Sequence, residues 1–186
     1  MRHSAIARFL PHNLLRLVRD QRGISAVEFA MILPLMVALY LGAVEISQGI
    51  SINRKVTLTA RTVTDLVAQV SSINNASMTN VLNASSAVMT PFPVSPLKVT
   101  VSLVSIDAQG NATIAWSDGY NTAGKTVGTA VTLPAALAIA NTSLVWGEVQ
   151  YLYTPAIGYV ITNVLTLKDQ LYMRPRLSTS ITRTAN

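Results

Sequence analysis

Gly23 and Glu28 are the residues of this chain whose types and placement suggest chemistry. They stand where a basic stretch gives way to a long apolar one, in Gly23-Ile24-Ser25-Ala26-Val27-Glu28-Phe29. The glycine marks the junction between the two stretches. Glu28 lies at or inside the apolar boundary, where an unpaired carboxylate costs about 2–3 kcal/mol or more. It is therefore either an interfacial acid or one kept for a partner charge. Glu45, at the far end of the apolar run, falls near the opposite interface, where a charge is cheap.

A second stretch matches a chemical pattern outright. Gly119-Tyr120-Asn121-Thr122-Ala123-Gly124-Lys125-Thr126 has the spacing of a phosphate-binding loop, whose backbone N–H groups cradle phosphates at the mouth of a helix. The sequence that follows, Val127–Pro134, is β-branched and interrupted by Gly128 and Pro134, which makes a poor first helix. A flexible loop is the expectation. Asp107 and Asn111 lack the alternating acids and distant Glu of a calcium loop, so Asp107–Asn111 reads as a turn. Asp118, Glu148 and Asp169 show no spacing that pairs them as acid and base.

The residue inventory removes other chemistries. There is no cysteine, and both histidines, His3 and His12, precede Gly23. A chain cut after Gly23 would hold neither, which excludes Ser-His-Asp and Cys-His nucleophiles and most transition-metal sites. The expectation is not an enzyme, with no cofactor and no metal. The formal charge of +6 is concentrated at the start. Residues 1–23 contain five arginines and one aspartate, and the remainder has nine basic residues against seven acids. That leaves no basic surface suited to nucleic acid.

The elements that must position these residues follow from hydropathy. Phe29–Val44 carries no charge in 16 residues, and with its flanks the segment 24–50 is long enough to cross a bilayer, which takes roughly 20 apolar residues. Pro34 inside it removes a backbone hydrogen bond and predicts a kink or local loosening. Residues 1–23 form a basic leader, and five arginines before the helix against Arg54 and Lys55 after it put the N-terminus in the cytoplasm. Ile52, Val56, Val63, Leu66 and Val70 continue the helix with an apolar stripe over 51–75. Residues 76–186 form an extracytoplasmic domain, opening with a short helix over 76–90.

Within that domain Leu97, Val99, Val101 and Leu103 alternate with polar residues, Asp107–Asn111 turns the chain, and Ala112–Trp116 returns as a hairpin strand. Pro134–Ala140 suits one or two helical turns. Val145–Tyr153, Gly158–Leu167 and Leu171–Thr182 are further strands, the last two separated by Lys168-Asp169-Gln170. Pro175 belongs at an edge, bulge or break. Trp116, Trp146, Tyr151 and Tyr153 read as packing residues. The fold class is α+β, a long N-terminal transmembrane helix continuing into an amphipathic helix packed on a small, mainly antiparallel sheet.

The run Arg22-Gly23-Ile24-Ser25-Ala26-Val27-Glu28-Phe29-Ala30-Met31-Ile32-Leu33-Pro34-Leu35 resembles the start of the TadE-like family, the minor pilin-like proteins of the tight adherence (Tad/Flp) pilus system. The resemblance covers roughly residues 20–64. It implies that a prepilin peptidase cuts between Gly23 and Ile24, and that Glu28 and Phe29 serve assembly. The partners it implies are that peptidase, other pilin-like subunits, Tad assembly proteins and membrane lipid. It places the chain in a bacterial inner membrane, single-pass, or in a surface pilus. A signal-anchored adhesin or binding domain that never enters a filament is the alternative, and an uncleaved leader lying on the membrane surface would accompany it.

Overall fold

The apolar run and the amphipathic run form one helix, α1 (Arg22–Ala68), assigned without interruption through Pro34. The computed structural model describes residues 22–155, 158 and 162–185. The expectations for the leader before Arg22, and for part of the strand proposed over 158–167, lie outside the described residues. The chain divides into two compact units after Val44. In the first, the side chains of α1 are exposed nearly all round, with Phe29 59% and Leu39 66% accessible. A helix apolar on every side has no polar face to give to water and is built for lipid or for other helices. Gly23–Ala68 has the length and composition to cross a membrane.

The second unit begins at Glu45. After α1 the order is β1 (Ser72–Ile73), α2 (Asn75–Met89), β2 (Leu97–Ile106), β3 (Ala112–Tyr120), β4 (Thr142–Tyr153), β5 (Leu165–Met173) and β6 (Thr182–Arg183). α1 stops at Ala68 rather than continuing to residue 75, because Ser72–Ile73 pairs in parallel with Thr182–Arg183 and Ile73 is buried there. Asn74 then caps α2, its side chain accepting from the Ser77 N–H at 2.8 Å. That bond satisfies one of the donors every helix start leaves open. Met78, Leu82, Ser85 and Met89 form the buried stripe of α2 at steps of four, three and four.

The main sheet is antiparallel, in the order β3-β2-β4-β5. The hairpin β2–β3 forms as the alternation predicts, with an irregularity between Leu103 and Val104. Ala115 is the extra residue there, since Leu103 faces Trp116 and Val104 faces Ile114. Leu97, Val99, Val101 and Leu103 meet Ile52, Val56, Ala60, Val63 and Val67 of α1 in the larger core. Leu66, expected in that stripe, is 36% exposed; Ala60 and Val67 take the inward positions instead. Val104, Ile106, Ile114 and Leu144 form a smaller core on the opposite face, covered by Val131, Leu133 and Leu137.

Two sequence expectations fail in the domain. Lys168-Asp169-Gln170 does not separate two strands but lies inside β5. β5 is hydrogen-bonded to β4 at the end of the sheet order, and charges are the residues that guard an edge from further pairing. Pro134–Ala140 is not helical. Leu137 N–H bonds Pro134 O at 2.8 Å and Ile139 N–H bonds Leu137 O at 2.9 Å, two turns that lay Leu137 on the small core. Pro175 falls after β5, at a break.

Gly147 fixes how closely β4 approaches α1. A Cβ there would run into the Thr64 hydroxyl and approach the Ala60 carbonyl, while Thr64 itself donates to Ala60 O at 2.6 Å. Both neighbours are buried, so the added methyl has nowhere to go. Gly147→Ala is expected to destabilise the domain by about 2 kcal/mol, the typical range for overpacking being 1–3. Chemical denaturation of the two proteins checks this, and an unchanged midpoint would show the helix free to retreat.

Candidate functional site

The four residues singled out at the junction occupy the first two turns of α1. Among the described residues nothing lies within 4 Å of a Cβ built on Gly23. Ile24 is 56% exposed and Glu28 and Phe29 are exposed as well. Ile24 and Glu28 are four apart in a helix, one turn from each other on one side. A carboxylate, a glycine–isoleucine bond and an aromatic ring thus share a short accessible segment. Phe29 and Ile32 are surrounded by no other part of their own unit that would bury them.

Glu45 departs from expectation. It is 1% exposed, under the folded domain instead of facing interfacial water. The Tyr153 hydroxyl donates to its backbone carbonyl at 3.3 Å. Burial raises the Tyr153 pKa and the Glu45 charge raises it further. Sequence reasoning missed this because strand β4, which delivers Tyr153, lies 108 residues away.

The phosphate-loop pattern has another structural use. Gly119 and Tyr120 end β3, and a Cβ on Gly119 or Gly124 would strike the backbone of Thr122 or Ser117. Both glycines are there to let the chain fold back on itself. Lys125 N–H donates to the Ser117 hydroxyl at 2.8 Å. Its ammonium reaches Glu148 at 2.9 Å and sits 4.2 Å from the centre of the Trp146 ring. A turn at residues 127–128 and a bridge from Ala130 to Thr113 follow, not a helix. The N–H cradle that the mechanism requires is not formed.

The three acids without useful spacing go to three separate partners. Asp118 takes Arg183 at 2.9 and 3.1 Å, and hydrogen bonding to Asp118 raises the Arg183 pKa. Glu148 takes Lys125, and Asp169 accepts from the Thr57 hydroxyl at 2.5 Å. Arg183 also reaches Asn75 at 2.7 Å, and Trp116 Nε1 donates to Ile181 O at 2.8 Å, so the C-terminal strand straps α2 to β3. Asp107 accepts from Gln109 N, Asn111 N and Asn111 Nδ2 within 2.9 Å. The Asn111 bonds hold its pKa below the usual value. This is the turn expected. Among the described residues no group of three His, Cys, Asp or Glu is placed to hold a metal.

Trp116, Tyr151 and Tyr153 are buried as packing residues. Trp146 is half-buried on the outer face, stacked on Tyr172 with ring centres 5.5 Å apart. It packs against the smaller core.

Residues 23–65 match the family model described as TadE-like protein. The matched segment begins at Gly23 and ends within α1, so it holds the junction, the apolar helix and the part of α1 packed in the domain. No curated protein and no solved structure matches the chain.

Proposed function

From a helix that matches the TadE-like model over residues 23–65, we propose that this protein is a pilin-like subunit for assembly of a Tad-type adhesive pilus. In this reading a prepilin peptidase removes residues 1–23, and α1 holds the domain on the extracytoplasmic side of the inner membrane. The observation that carries it is the placement of Glu28, the fifth residue after Gly23, on an apolar helix exposed on all sides. Such a helix gains by packing against like helices, and a carboxylate among them needs an opposite charge. Cleavage would create one, the ammonium of Ile24. At 4 Å two unit charges attract by about 4 kcal/mol at an effective dielectric of 20, against about 1 in water. Pairing with a neighbouring subunit's ammonium would therefore be directional within the bundle and absent from an unprocessed chain.

The same reading fixes an orientation. A reporter active only outside the cytoplasm, fused after Asn186, is expected to be active in cells assembling the pilus. Activity solely from a cytoplasmic reporter at that position would remove the orientation and the function with it.

A further inference from the structure

The outer face of the sheet is covered at one end and open at the other. Val131, Leu133 and Leu137 close over Val104, Ile106, Ile114 and Leu144. Beyond them a groove of about 520 Å³ lies over Lys98, Thr100, Glu148, Gln150, Lys168 and Gln170, with Thr122 and Ala123 as one wall. The strand order builds its floor. Lys98 faces Gln150 across β2–β4, and Gln150 faces Lys168 across β4–β5. The next row is Thr100, Glu148 and Gln170.

The charges on this floor are not balanced. Lys125 and Glu148 neutralise each other, and the Asp169 carboxylate is turned to Thr57. Among the described residues neither Lys98 nor Lys168 has an ion-pair partner. Their backbones are two strand spacings apart, about 10 Å, with an amide between them. A lysine is a point charge on a flexible stem, so this pair suits two separated negative charges better than one planar bidentate group. The remaining side chains offer hydroxyls and amides, which match sugar hydroxyls. At its far end Lys125 and Gln170 also line a second cleft against Trp146 and Tyr172. Net charge after Gly23 is only +2, nine basic residues against seven acids, too little for the phosphate density of nucleic acid.

We propose that this groove binds a segment of an acidic polysaccharide, its carboxylates on Lys98 and Lys168 and its hydroxyls on Gln150, Thr100 and Gln170. This does not depend on the chain entering a pilus. The test is calorimetric titration of the full-length protein in detergent with a hexamer of galacturonic acid, with maltohexaose and with inorganic phosphate. The acidic hexamer is expected to bind, more weakly at higher salt because the lysines are exposed, and maltohexaose at least tenfold more weakly. The double variant Lys98→Gln and Lys168→Gln should lose at least tenfold in affinity with an unchanged melting temperature, while Lys98→Arg with Lys168→Arg should retain binding. Equal binding of the two hexamers, displacement of the acidic hexamer by equimolar phosphate, or undiminished binding by the folded glutamine variant would each overturn the proposal.

Discussion

Glu28→Gln is expected to be inserted in the membrane and cleaved like the wild type, yet to lose its association with other pilin-like subunits. The side chain keeps its size, so packing of the apolar helix is unchanged. Insertion should improve slightly, since the amide avoids the desolvation cost of a carboxylate at the apolar boundary. What goes is attraction to a neighbour's ammonium. Even a loss of 1.4 kcal/mol per contact is tenfold in a binding constant. Crosslinking in native membranes should therefore give at least tenfold less product. Glu28→Asp is the informative companion, because it keeps the charge and shortens the reach by one methylene, and it should fall between the two. Glu45→Gln cannot serve as a neutral control, because Glu45 is buried in the folded unit and its loss would disturb the domain itself. Equal crosslinking by Glu28→Gln and wild type would leave Glu28 without an electrostatic role between subunits. Pairing of Glu28 with its own chain's ammonium, one turn away, would give the same equality.

The second large effect is expected at Gly23. The position has open space around it, so Gly23→Leu should leave the helix and the domain as they are. A branched side chain beside the Gly23–Ile24 bond would, in contrast, obstruct a peptidase that reads a bare backbone there. The leader should stay attached, and intact mass of the membrane-bound protein checks it. A normally shortened Gly23→Leu chain would contradict the proposed specificity. In the proposed reading the two substitutions separate the steps. One is expected to block the appearance of the ammonium and the other to remove its partner, so that assembly fails through different species.

Much of this arrangement was legible in the sequence because it rests on local pattern. The 16 uncharged residues from Phe29 to Val44 mark the helix, and the alternation from Leu97 to Leu103 marks a strand with one face on the core. The turn at Asp107–Asn111 follows from side-chain bonding over four residues. What was not legible depends on distant partners. Lys168-Asp169-Gln170 looks like a turn until β5 is known to end the sheet order. The burial of Glu45 depends on Tyr153 arriving from β4, and the end of α1 depends on a two-residue pairing with Thr182–Arg183. The structural use of Gly119–Thr126 was hidden for the same reason. Its glycines answer to backbone contacts within a fold-back, and its lysine to Glu148, a strand away. The lysine row was invisible too, since Lys98, Gln150 and Lys168 become neighbours only through strand order.

The N-terminal residue of the protein isolated from its native membrane bears most directly on the proposed function. A mature chain beginning at Ile24 is the expected result, because the pairing assigned to Glu28 requires the ammonium that this cut creates. A chain that still begins at Met1 would contradict the account and leave a signal-anchored domain, with α1 as its anchor and Glu28 as an interfacial acid.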